Sequence, residues 1–295
     1  MKQSAPCRLL FCTHFSCGHR LMLTAGFFPA VKGSEASMPD AAFLSVQGVS
    51  KQFGAGGNAL TAIQDIAFDI PRGAFVSILG PSGCGKSTLF NIIAGLLLPT
   101  CGDVQLGGAS IIGKAGQVGY MLQKDLLLPW RTIEDNITLG QTLRGISRRD
   151  ARQTAAQLID RCGLAGFERK KPHQLSGGMR QRAALLRTLL TGKDVLLLDE
   201  PFGALDAITR LQLQMTLIDI WQETRKTILF VTHDVEEALL LSDEIIVLTE
   251  RPGRVRARVP VEFPRPRTVD MLAAPELMQL RSRLMSLLLK EVDET

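Results

Sequence analysis

Apolar residues along this chain gather into short, nearly uncharged runs separated by longer stretches of mixed character. Phe75 to Leu79, Val195 to Leu198, Thr227 to Val231 and Ile245 to Leu248 are β-branched or leucine-rich, the pattern of strands covered on both faces of a parallel sheet. Ala42 to Val49 reads as a further strand. Helix-like segments lie between these runs, and alternation of this kind predicts an α/β fold built on a largely parallel sheet. Ser147 with Asp150 three residues on resembles a capping box, after which Leu158, Ile159 and Cys162 supply one apolar face up to a stop at Gly163. That helix belongs to a charged insert, about 130 to 172, that lacks a strand pattern. After a Pro-Gly turn, Val255, Ala257, Val259 and Val261 alternate with Arg256 and Arg258, which predicts a hairpin with the preceding strand. A last helix carries Leu277, Leu280, Leu284, Leu287 and Leu288 on one face, with Arg281, Arg283 and Lys290 mostly off it. That face suits packing on the chain's own domain; a membrane surface is the alternative.

Composition narrows the class. The chain has 295 residues, 45% hydrophobic and 21% charged, enough apolar material for a sizeable core. A net charge of +5 is too mild to argue for nucleic acid. The longest apolar run, Ile92 to Leu98, is about a third of the roughly 18 residues a bilayer span requires. Six scattered cysteines make no disulfide scaffold and point to a reducing compartment. Cys7, Cys12 and Cys17 lie with His14 and His19, but in no familiar zinc spacing. The first forty residues show no periodic apolar face, so 1–40 reads as a disordered extension or an over-called start ahead of Met38. Residues 41–262 then form the main domain and 263–295 a tail with the amphipathic helix.

The strongest chemical signal is Gly80-Pro81-Ser82-Gly83-Cys84-Gly85-Lys86-Ser87, a phosphate-binding loop pattern between a strand and a helix-forming run. Its glycines let consecutive backbone N–H groups turn inward around a β-phosphate, the helix start aims its positive end there, and the Lys86 ammonium reaches the β/γ oxygens. Ser87 is the expected Mg²⁺ ligand. Cys84, with its side chain taken to sit on this loop, is expected to react with alkylating reagents and to be protected by MgATP. The run Val195 to Leu198 ends in Asp199-Glu200, at the edge where open α/β sheets place their sites. Asp199 is expected to hold the metal, directly or through water, and Glu200 to polarise the attacking water. His233 ends another strand, beside Glu200. Ser176 reads as an N-cap, and Gly177 and Gly178 expose N–H groups at the start of a helix through Leu190, a second anion site.

In order and spacing, the Gly80–Thr88 loop, Leu175-Ser176-Gly177-Gly178, Asp199-Glu200, Ala204-Leu205-Asp206 and His233 resemble the ATP-binding cassette (ABC) family of transporter ATPases, over residues 42 to about 260. Met179 stands where the family usually has glutamine. The resemblance implies a P-loop NTPase core with a parallel sheet, an antiparallel β subdomain and an inserted helical signature subdomain, about 130–190. It implies ATP and Mg²⁺ as ligands and a head-to-tail dimer with a second copy of the chain, each ATP lying between the loop of one copy and Ser176 to Gly178 of the other. Gln123 becomes the residue of a mobile loop that senses Mg²⁺ and the attacking water. Phe53 becomes the aromatic that stacks on adenine, with a core phenylalanine as the alternative. The Leu126-Leu-Leu-Pro-Trp130 run becomes a surface for a helix of an integral membrane permease, with an ordinary buried turn as its alternative. Glu200-Pro-Phe-Gly-Ala-Leu-Asp206 and Thr249-Glu-Arg-Pro-Gly-Arg254-Val resemble the importer group for nitrate, sulfonates and taurine. That places the chain peripherally on the cytoplasmic face of the cell membrane, with a solute-binding protein as an indirect partner. An exporter ATPase, another importer class, or an ABC protein of translation or DNA repair would carry the same nucleotide residues.

Overall fold

The computed structural model describes residues 42–54, 59–265 and 267–289. The expectations for residues 1–40, including Cys7, His14 and their neighbours, and for Lys290 lie outside the described residues.

The chain runs β1 (Leu44–Phe53), β2 (Leu60–Ile70), β3 (Phe75–Leu79), α1 (Lys86–Ile93), β4 (Cys101–Leu106), β5 (Ala109–Ser110) and β6 (Gly119–Met121). It continues through α2 (Ile133–Ile137), α3 (Leu139–Leu143), α4 (Arg148–Arg161), α5 (Gly177–Leu189), β7 (Val195–Asp199), α6 (Ala207–Thr224), β8 (Thr227–Thr232), α7 (Val235–Leu241), β9 (Glu244–Leu248), β10 (Val255–Pro260) and α8 (Pro275–Leu289). One sheet has the order β10-β9-β3-β8-β7-β6, the other β2-β1-β4-β5. In the first, β9, β3, β8, β7 and β6 are parallel and only β10 is antiparallel. Every residue of β3, β7 and β8 is buried. That is why these strands read as unbroken apolar runs: a parallel sheet has no solvent face to call for polar positions. The mixed α/β class, with a separate antiparallel sheet, stands as expected.

The antiparallel sheet was less visible. β1 begins two residues later than the apolar pattern suggests and runs on to Phe53, with register shifts against β2 between Val46 and Val49 and again near Lys51. A bulge breaks the period of two that would otherwise announce a strand. In β2, buried Ile66, Phe68 and Ile70 alternate with exposed positions, the half-buried signature. The core uniting the two sheets is formed by Leu44, Ile63, Phe68 and Val104 with Ile78, Leu89, Phe90, Leu197 and Val231.

The insert is helical. The Ser147 hydroxyl accepts the Asp150 N–H at 3.2 Å and donates to Asp150 Oδ2 at 2.7 Å, capping α4 as expected. Leu158, Ile159 and Cys162 are buried, and Gly163 turns the chain out at φ +63, a value few residues other than glycine adopt readily. At the other end β10 pairs antiparallel with β9, Val255 opposite Leu248 and Val259 opposite Ile245. Helix α8 lays Leu277 and Leu284 against Val235, Leu239, Val247, Val259 and Val261. The apolar face of α8 therefore packs on the chain itself.

Candidate functional site

Because β9, β3, β8, β7 and β6 are parallel neighbours, their C-terminal ends share one edge of the sheet. At that edge β3 passes into Gly80, β8 into His233, β7 into Glu200 and β6 toward Gln123. Chemistry scattered over more than 150 residues of sequence is thus collected by topology, at the place where open α/β sheets bind ligands.

The loop from Gly80 closes on itself. Gly83 and Gly85 have φ +77 and +102, and a Cβ at Gly85 would fall 2.4 Å from Ile63 Cγ2 and 2.9 Å from the Ala62 carbonyl. Only glycine fits there. Helix α1 begins directly after it, with neither an acidic residue in its first turn nor a side-chain cap. Its first N–H groups are therefore left to an anion. The Lys86 ammonium is buried and donates to the Gly80 and Pro81 carbonyls at 2.7 and 2.8 Å. Pro81 is half-buried, Ser82 and Ser87 are exposed, and Thr88 is half-buried in α1.

Cys84 corrects an expectation. Its side chain is 1% exposed and turns into the core, its Sγ 2.8 Å from where a Cβ on Gly80 would lie. Burial pushes the thiol pKa up, against the pull of Lys86. Only the backbone of Cys84 faces outward duty; the thiol is not a surface group that a nucleotide would shield.

Asp199 is buried at the end of β7, with the Ser87 hydroxyl close enough to act on its carboxyl. Burial raises its carboxyl pKa most; the Ser87 hydroxyl lowers it, Glu200 raises it again and Lys86 draws it back down. Ser87, Asp199 and Lys86 thus form one cluster. Next to it, Glu200 has a left-handed backbone, φ +48, with its N–H donating to the Val231 carbonyl at 3.0 Å. Its two carboxylate oxygens are divided. Gln123 Nε2 donates to Oε2 at 3.1 Å, and His233 Nδ1 lies 3.3 Å from Oε1. Gln123, Glu200 and His233 are brought together on three adjacent strands' ends.

Phe53 is 41% exposed and lies under the Lys51 ammonium, 5.3 Å from ring centre to nitrogen, so the core alternative does not hold. Opposite it in the sheet is Leu60, three residues before the Ile63 that touches Gly85. Ser176 caps α5 by accepting the Met179 N–H at 3.3 Å. Gly178 abuts Leu205, where a Cβ would come within 2.8 Å of Cδ2, and Asp206 caps α6 through the Thr209 N–H at 3.0 Å. Among the described residues, no hydrogen bond or ion pair links Ser176, Gly177, Gly178 or Asp206 to the Gly80–Ser87 cluster.

Several neighbours carried no local signal. Arg187 on α5 donates to the Leu126 and Asp125 carbonyls at 2.7 and 2.6 Å, and Arg180 pairs with Asp125 at 3.0 Å. The segment after Gln123 is thereby tied to the helix that Ser176 caps. Glu237, buried on α7, accepts from Gln214 Nε2 at 3.0 Å and from the hydroxyl of Thr232, the residue before His233, at 2.6 Å. An invisible partner sixty residues away is what sequence alone lacks.

A phosphate loop, an acid pair on the neighbouring strand and an inserted, separately capped helix together define a P-loop ATPase of cassette type. Residues 63–203 match the model of the family described as ABC transporter. An uncharacterized ABC transporter ATP-binding protein of Methanocaldococcus jannaschii is 43% identical over 249 residues, 84% of this chain and 92% of the relative. The taurine import ATP-binding protein TauB of Rhizobium johnstonii is 44% identical over 237 residues, 79% of this chain and 90% of its own length. Among solved structures, the dimeric form of a bacterial ABC transporter cassette has 31% identity and a TM-score of 0.68, covering 75% of this chain and all of that one. A post-hydrolysis state bound to ADP and Pi is similar at 30% identity, with the same TM-score and coverage. The chain belongs to the ABC transporter family, and it is an ATPase. No described helix is long and apolar enough to cross a membrane.

Proposed function

We propose that this chain energises a membrane permease importing taurine or a related small sulfonate, binding MgATP at the Gly80–Thr88 loop and hydrolysing it with Glu200. The observation that carries this reading is the Glu200 carboxylate, held between Gln123 and His233 beside the Ser87–Asp199 pair. The solute follows from the TauB relatives, which include a protein of Roseobacter denitrificans at 43% identity over 221 residues.

The roles follow from position. The loop N–H groups and α1 hold the phosphates, and Lys86 exchanges its carbonyl partners for the β/γ oxygens. Ser87 and Asp199 offer a hydroxyl and a carboxylate side by side, oxygen donors that fit Mg²⁺ and not a softer metal. When bound, the ion would neutralise charge on the β- and γ-phosphate oxygens. Glu200 accepts a proton from the attacking water and aims its oxygen; His233 and Gln123 fix that carboxylate from either side. Phe53 stacks on the adenine.

Ser176 to Gly178 and Asp206, which make no hydrogen bond or ion pair to the loop among the described residues, serve the loop of a second copy in a head-to-tail dimer. Closure of that dimer moves α5, and through Arg187 and Arg180 the segment leading to Trp130. Trp130 is 68% exposed beside Leu126, itself exposed, so the buried-turn alternative is set aside for a permease-docking surface. The chain thus sits peripherally at the cytoplasmic face of the membrane, and a solute-binding protein delivers cargo on the far side.

The test is reconstitution with a candidate taurine permease, measuring ATP-dependent uptake of labelled taurine. Uptake abolished by Lys86→Ala, and lost in Trp130→Glu together with permease co-purification while ATP binding stays within about twofold, is the expected result. Uptake of a different solute alone would overturn the taurine reading; survival of transport and complex in Trp130→Glu would move the docking site elsewhere.

A further inference from the structure

The turn between β9 and β10, Thr249 to Arg254, meets the phosphate loop from outside. Arg251 donates to the Gly83 carbonyl twice, from Nε at 3.2 Å and Nη2 at 2.9 Å. Two residues on, Gly253 lies so close to the Cys84 carbonyl that a Cβ would come within 2.1 Å of the oxygen. Successive carbonyls of the loop are therefore met by one turn. The turn is itself braced. Thr249 N–H donates to the Arg254 carbonyl at 3.0 Å, Thr249 Oγ1 accepts the Arg254 N–H at 2.9 Å, and Arg254 Nη2 donates to Gln64 Oε1 at 2.8 Å. Gly253 joins β2 through its N–H to the Ala62 carbonyl at 3.0 Å and its own carbonyl to the Gln64 N–H at 2.9 Å.

We propose that the Thr249–Arg254 turn is a clamp on the outer side of the phosphate loop, with Arg251 as a positioning residue for nucleotide binding. A trans peptide is planar, so its C=O and N–H point in opposite directions. Holding the Gly83 carbonyl outward fixes the Cys84 N–H on the other side, where it faces the Pro81 carbonyl at 3.4 Å, the group that Lys86 also contacts. Packing Gly253 on the Cys84 carbonyl does the same for the Gly85 N–H. The loop needs this help because Gly83 and Gly85 are free to turn either way. An arginine is suited to the task, since its guanidinium stays charged at every working pH and presents several donors in a fixed plane.

The clamp acts on the loop and not on one phosphate, so its loss weakens ATP and ADP alike. Equilibrium binding of both nucleotides, with steady-state ATPase, is measured on the full chain carrying Arg251→Ala, Arg251→Lys and Gly253→Ala. Arg251→Ala is expected to raise Kd for both nucleotides about fivefold, the loss of two charge-assisted bonds to one carbonyl at an exposed site, with kcat within about twofold. Arg251→Lys, keeping one charged donor without the fixed plane, recovers part of the affinity. Hydrogen exchange at the Gly83–Lys86 amides speeds up in Arg251→Ala without nucleotide, which a general loss of stability would not confine to that loop. Gly253→Ala, with Arg251 intact, weakens both nucleotides as well. Unchanged affinity in Arg251→Ala overturns the clamp, and so does a loss confined to ATP, which would mark direct contact with the terminal phosphate. The inference rests on the Gly80–Thr88 loop being the nucleotide site, and Lys86→Ala separates the two: if that variant binds ATP normally, the site reading itself fails.

Discussion

Replacing Glu200 by Gln keeps the shape of the side chain and removes its basicity. The surroundings show how little else changes. Gln123 Nε2 is a donor at 3.1 Å from Oε2, so the amide oxygen of a glutamine takes that side. Its NH₂ then faces His233 Nδ1, 3.3 Å from the other oxygen. With the ring proton on Nε2, Nδ1 accepts that hydrogen, and both contacts survive. The left-handed backbone, φ +48, costs glutamine no more than glutamate. Folding and ATP affinity should therefore change by less than about 1 kcal/mol, while loss of the base lowers hydrolysis roughly 10²- to 10⁴-fold. Phosphate release at saturating MgATP, set beside equilibrium ATP binding and size-exclusion chromatography, is the assay. Slow turnover with tight binding should leave ATP trapped between two copies. A variant hydrolysing within about twofold of the parent would refute the assignment, because a base worth so little cannot be activating the water.

Two further outcomes follow from burial. Under native conditions a thiol reagent should modify exposed Cys101 at least about a hundredfold faster than Cys84 or Cys162, since both of the latter are buried; peptide mapping by mass spectrometry reads this, and equal rates would place the Cys84 thiol outside the core. Burial also raises the Glu237 carboxyl pKa above its ordinary 4.5, against the bond from Thr232, with Asp234 adding to the rise. The folded chain thus holds that proton more tightly than the unfolded one. The resulting stabilisation is fully present below the unfolded value and is lost as pH rises through the folded one. Glu237→Gln should cost about 1 kcal/mol near neutrality, because its one amide oxygen cannot accept from both the Thr232 hydroxyl and Gln214 Nε2, and should flatten the fall in stability above about pH 4.5. Denaturant melts across that range decide it; parallel curves for parent and variant would show that Glu237 does not titrate differently on folding.

The strands that carry the chemistry were the legible ones, for a physical reason. Burial on both faces of β3, β7 and β8 favours apolar side chains nearly throughout, Ser77 being buried with Ser242 as its partner, and turning chemistry follows at the strand end. Helix α4 was equally plain, because Ser147 and Gly163 mark its ends with local interactions. Its place at a strand end set His233 beside Glu200, whereas only the resemblance brought Gln123 to the same chemistry. What stayed hidden depends on distant partners or on single torsions. The direction of the Cys84 thiol is settled by the backbone at Gly83 and Gly85, and one glycine in a sequence looks like another. Arg251 meets Gly83 across 168 residues, and nothing near either residue announces the other. The shifts in β1 have the same character: they are answers to β2 and β4, not properties of the strand alone.

The order of the six-stranded sheet also sets a timetable for synthesis. β3 lies between β9 and β8, pairing Phe75 with Ile228 and Val76 with Glu244. Its neighbours are therefore translated about 150 and about 170 residues after it. At roughly 5 to 20 residues per second, the ribosome takes on the order of 8 to 30 s to supply the first of them. Throughout that interval β3, whose five residues are all buried in the finished sheet, has neither lateral partner. The phosphate loop is likewise attached to a strand that has no sheet to join. An unpaired apolar strand in a nascent chain invites pairing with another copy, so production of this protein should respond strongly to translation speed and to chaperones that cover extended apolar segments. A variant slowing synthesis between residues 80 and 227 would lengthen that exposure without altering the native fold.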